Sequence, residues 1–112
     1  MDPNKLNWFL SSSNTIEGWF YPADMVSIAI MDEIQTKHLG ISGSICEVGV
    51  YKGKSLTFLS HLIRSDELLF GYDDFLNDHK DLTLSAMNEH GNQITPILKT
   101  CNTNQLEGDQ IS

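Results

Sequence analysis

The feature that most constrains the fold is a short apolar run, Ser44 to Val50, which passes through a glycine turn directly into a helical pattern. The run, Ser-Ile-Cys-Glu-Val-Gly-Val, follows Gly43 and is too brief for a helix, so it reads as a buried strand. From Ser55 to Arg64, the residues Leu56, Leu59, Leu62 and Ile63 recur at spacings of three and four, which makes one apolar helix face. Arg64 suits the negative pole at the end of that helix. A strand leading through glycines into a helix is the opening of a parallel unit, because a parallel return needs a dozen or more residues.

The flanking segments extend the pattern. Pro22 suits a first helical turn and Gly40 the position just past a helix end, so a helix is predicted from about 22 to 38. Glu67 to Tyr72 reads as a second strand, ending in Asp73 and Asp74. Asn77 to Asn88 carries a weaker helical pattern in Leu82, Leu84 and Met87, closed by Gly91, and Gln93 to Cys101 reads as a third strand. The expected fold class is α/β, the first half of a Rossmann-like doubly wound parallel sheet, with a helix followed by β-α-β-α-β. Residues 1–18 show no sustained period and are expected to form an N-terminal arm or lid, leaving 19–112 as the domain.

The 112 residues suit one domain, and 40% hydrophobic with 20% charged residues is ordinary for a globular chain. Fifteen acidic against seven basic residues give a net charge of -8, which argues against nucleic acid as a partner. No apolar run approaches the roughly 20 residues a membrane span needs, and no cleavable leader pattern is seen, so a cytoplasmic protein is expected. Cys46 and Cys101 sit in apolar runs and are expected to be reduced, packed thiols. His38, His61, His79 and His90 lack the close pairing of a zinc site. No Ser-His-Asp or CxxC arrangement is visible, and no residue is assigned as catalytic.

The chemistry-bearing stretch is Glu47-Val48-Gly49-Val50-Tyr51-Lys52-Gly53-Lys54-Ser55, at the passage from strand to helix. Its glycines let the backbone bend and approach a ligand, and the Glu47 carboxylate can accept hydrogen bonds from an ammonium. Ser55 can cap the helix or reach the same ligand, and Lys52 and Lys54 can serve an anion. A ligand with an amino group beside a carboxylate, such as the methionine end of S-adenosylmethionine, satisfies both halves of the loop. Gly71-Tyr72-Asp73-Asp74-Phe75 follows at the distance where doubly wound folds place an acid for ribose hydroxyls. Asp73 is the candidate for that acid, and Asp74 and Phe75 are candidates for edging an adenine ring. Asn102, after the third strand, is a candidate partner for the adenine amine. Trp19-Phe20-Tyr21 can close over a ligand or pack the first helix against the sheet.

Together, Glu47-x-Gly49-x-x-x-Gly53-x-Ser55 and Gly71-Tyr72-Asp73-Asp74-Phe75 resemble class I S-adenosylmethionine-dependent methyltransferases, especially the macrocin O-methyltransferase and cephalosporin hydroxylase-like branch. The aromatic Gly18-Trp19-Phe20 approach to the first helix is similar too. The resemblance covers roughly Gly18 to Leu106. It implies that Glu47, Gly49, Gly53 and Ser55 hold the methionine part of the cofactor, Asp73 the ribose, and the Asn102 region the adenine, with Tyr51 and Asp74 also counted among the cofactor-binding residues. It implies O-methyl transfer to a small-molecule hydroxyl. It also implies a truncated domain, because that branch binds a divalent metal through an aspartate-rich segment on the next strand, beyond Ser112.

Two other functions compete. A nicotinamide-dependent oxidoreductase half wants Gly-x-Gly-x-x-Gly, and Tyr51 stands where the second glycine belongs. A non-catalytic cofactor-binding or interaction module would act with a partner chain, and the unpaired edge of the first strand suits a homodimer.

Overall fold

The structure, a computed structural model, describes residues 1–101. Four α-helices and a three-stranded parallel sheet make a mixed α/β architecture. In chain order the elements are α1 (Pro3–Ser12), a 3-10 turn (Ser13–Thr15), α2 (Pro22–Glu33), β1 (Ile45–Val48), α3 (Lys54–Ser60), β2 (Leu69–Asp73), α4 (His79–His90) and β3 (Ile97–Thr100). The predicted helix ending at His38 is present in two parts, because α2 continues as a wider π-helix over Ile34–His38.

The segment expected to lack regular structure is largely α1. Asp2 caps it by accepting the Asn4 amide at 2.9 Å, and Pro3 occupies the first turn. Leu6, Phe9, Leu10 and Ser13 form its inward stripe, with Phe9 and Ser13 buried. The surrounding Asn and Ser residues are poor helix formers and dilute that stripe in the sequence. Phe9 joins Phe20, Met25, Ala29, Phe58 and Leu62 in one apolar cluster. Val50, Leu56, Ile63, Leu69, Phe75 and Met87 form a second, and half-buried Ile45 and Leu59 touch both, so the two make a continuous core.

The strands run in the order β1-β2-β3, with Ile45 opposite Leu69 and Phe70 opposite Ile97. Pro96 cannot donate to a ladder, and β3 begins just after it, shorter than the predicted Gln93 to Cys101. Ile45, Leu69 and Leu98 all point into the core, so the helices pack on one face of the sheet. This corrects the expectation of a buried first strand, since only alternate residues of β1 face the core. Cys46 and Val48 lie on the opposite face, which no element covers among the described residues, and Val48 is 79% exposed. Cys46 is therefore exposed rather than packed, and Cys101, just past β3, is half-buried.

Candidate functional site

The loops that follow β1 and β2 lie side by side, because paired parallel strands end together. Their backbone is unusual. The non-glycine residues with left-handed φ among the described residues are Tyr51 (56°), Phe75 (49°) and Asn77 (55°), all in these two loops. Such a conformation costs a residue with a side chain on the order of 1–2 kcal/mol. Gly49 (86°) and Gly53 (93°) share the region without that penalty.

One side chain holds both loops in this shape. Asp73, the last residue of β2, accepts the Tyr51 amide at 2.9 Å on Oδ2 and the Phe75 amide at 3.0 Å on Oδ1. The amides of two left-handed residues thus meet one carboxylate. Burial alone would push the Asp73 carboxyl up, but these amides and the neighbouring Asp74 carboxyl outweigh burial and hold it below the usual aspartate range. Asp74 shifts the opposite way, raised first by its hydrogen bond to Asp73. The Val50 amide also bears on this carboxylate, which is thus held mainly by donors of its own chain.

Glu47 and Ser55 meet beneath the loop. The alternation of β1 turns Glu47 toward the helix-covered face, and Ser55 stands in the first turn of α3. Ser55 Oγ donates to Glu47 Oε2 at 2.5 Å, whereas Glu47 Oε1 is buried and has no partner among the described residues. Burial raises the Glu47 carboxyl to about 7, opposed by the Ser55 hydroxyl and assisted by the Asp73 charge.

Gly53 fixes where α3 begins. A Cβ there would come within 2.9 Å of Thr83 Cα and Cγ2 on α4, so only glycine lets this turn sit against that helix. In front of Gly49, by contrast, a Cβ would meet nothing within 4 Å, which leaves its backbone open to a ligand.

A cavity of about 140 Å³ opens here, lined by Glu17, Gly18, Trp19, Phe20, Gly49, Val50, Tyr51, Lys54 and Ser55. Phe20 is buried in the core, while Trp19 is 82% exposed and stacks on Tyr51 with centroids 5.8 Å apart. Tyr51 also meets the His79 ring at 4.9 Å, and Lys52 pairs with Glu17. Two clefts of about 400 and 420 Å³ lie away from these loops, one near Arg64 and the other near Asn92.

The structure thus brings together Glu47, Gly49, Tyr51, Gly53, Ser55 and Asp73, with Asp74 adjacent. Asn102 lies outside the described residues. Thr83 and Glu17 also shape the site, and the sequence carries no local signal for either, since each acts across a long stretch of chain. Among the described residues, no group of three or more His, Cys, Asp and Glu side chains converges as a metal site. No helix among them is long and apolar enough to cross a membrane. No family model matches the chain, and no curated protein is significantly similar to it.

Proposed function

We propose that this chain is the cofactor-binding part of a class I S-adenosylmethionine-dependent methyltransferase that methylates a small-molecule hydroxyl. In this reading the fold is the first half of a Rossmann-like doubly wound sheet. The strand order β1-β2-β3 supports it, as do helices on one face, because right-handed crossovers stepping the same way along a sheet lie on the same side.

The observation that carries the reading is Glu47 Oε1, a buried carboxyl oxygen without a partner among the described residues, two residues before the open backbone of Gly49. The cofactor ammonium would satisfy that oxygen and draw the Glu47 proton off. Lys54, on the cavity wall, suits the cofactor carboxylate, and Asp73 at the end of β2 stands where such folds place the acid for ribose hydroxyls. When bound, the cofactor supplies an electrophilic methyl group on a sulfonium. The 140 Å³ cavity is smaller than the roughly 300 Å³ at which whole-ligand pockets begin, so it fits the amino-acid end of the cofactor alone. Tyr51, filling the space between Trp19 and His79, opposes the nicotinamide reading, which wants a glycine there.

Calorimetric titration with S-adenosylhomocysteine tests the proposal. Micromolar binding that falls at least about tenfold in Asp73→Ala, with no binding of NAD, is the expected result. A folded chain that binds neither ligand overturns it. The second reading, an interaction module joined to a partner or to its own copy, draws support from the edge of β1, unpaired among the described residues, and from the exposed Val48. Sedimentation across a concentration series would reveal such a dimer.

A further inference from the structure

The cavity over the Gly49 turn has a wall that the binding of an amino-acid group does not require. Trp19 stacks on Tyr51 at 27° and 5.8 Å, a loose contact that leaves the residue 82% exposed. An exposed tryptophan has no packing reason to hold one orientation. Here Gly18 lies against the Lys54 side chain, and the preceding Glu17 is tied to Lys52 in the loop. The chain before Trp19 is thereby fastened to the same turn that carries Tyr51. A second, contiguous cavity of about 220 Å³ is lined by Glu17, Gly18, Trp19 and Tyr51, so the indole stands between two spaces at the mouth of the site. The Tyr51 ring already has a cation close to it, with Lys52 Nζ 5.2 Å from its centroid.

We propose that Trp19, held by its stack on Tyr51, is a specificity-determining residue that selects a positively charged sulfonium over the neutral thioether left after methyl transfer. The inference rests on the cofactor reading above. An aromatic face attracts a cation through its quadrupole and offers a neutral sulfur much less, and the attraction grows where water is partly excluded. Trp19 thereby favours release of the spent cofactor, which lacks the charge.

The experiment compares S-adenosylmethionine with S-adenosylhomocysteine on the 112-residue chain, by calorimetry and by tryptophan fluorescence, in wild type, Trp19→Leu and Trp19→Phe. Wild type is expected to prefer the sulfonium by about 2- to 30-fold. Trp19→Leu is expected to bring that ratio near one, and Trp19→Phe to retain part of it, since phenylalanine is the weaker cation partner. Circular dichroism confirms folding, which the exposure of Trp19 makes robust. Equal binding of both ligands by wild type overturns the inference while leaving the cofactor reading standing. An equal loss of both in Trp19→Leu also overturns it, because it marks a merely structural role. Binding of neither ligand to wild type removes the cofactor reading, and the inference with it.

Discussion

The Asp73 carboxylate accepts the Tyr51 amide at 2.9 Å across a separation of 22 residues, tying the end of β2 to the turn that follows β1. Its other oxygen takes the Phe75 amide, so one ionised group offsets the strain of two left-handed residues. Asp73→Ala should destabilise the chain by about 1–3 kcal/mol at neutral pH, a figure discounted for the half-exposed position. Because folding holds this carboxyl below its usual range, the stabilisation is present above the unfolded pKa and fades as pH falls through the folded one. Urea melts of both proteins should therefore differ at pH 7 and begin to draw together only as pH falls below the ordinary aspartate value of about 4.

Glu47 works in the opposite sense. Its folded pKa of about 7 exceeds the ordinary 4.5, so the native state keeps a proton that the unfolded chain releases. Stability contributed by Glu47 is full below about pH 4.5 and declines as pH rises toward 7. Glu47→Gln, which can still accept from Ser55, should match wild type near pH 4 and exceed it at pH 8, by an upper bound of about 3 kcal/mol. Identical melts at both pH values would falsify the buried-carboxyl assignment.

The same proton bears on ligand binding. If Glu47 takes the cofactor ammonium, binding at pH 6 should release close to one proton, and affinity should weaken as pH falls below about 7. Calorimetry in two buffers of different ionisation enthalpy measures that release directly. A pH-independent affinity would place the ammonium elsewhere.

Phe9 is fully buried, with ring centroids 5.4 Å from Phe58. Phe9→Ala should cost about 3–5 kcal/mol, the range for removing a core aromatic side chain, which for a chain of this size is much of its stability. Unchanged thermal melting would mean that α1 does not dock.

The parallel α/β pattern was legible because Leu56, Leu59, Leu62 and Ile63 repeat at helical spacing while the segments around Val48 and Phe70 are short and apolar. The Glu47 to Ser55 loop was legible for the same reason, since its glycines fall where strand becomes helix. What stayed hidden depends on partners far along the chain. Nothing near Tyr51 or Phe75 announces a left-handed backbone, because the group that stabilises it is Asp73. Nothing near Cys46 announces an open sheet face, because exposure depends on which face the helices choose. The docking of α1 was written in Leu6, Phe9 and Leu10, but their neighbours blurred the stripe.

The close seat of Gly53 against Thr83 makes α4 a mechanical neighbour of the ligand loop. With no side chain between the two backbones, there is little slack to absorb a shift. A ligand that draws the loop inward changes what Thr83 rests against, so a fluorine or spin label on the outer surface of α4 becomes a remote gauge of whether the loop is occupied.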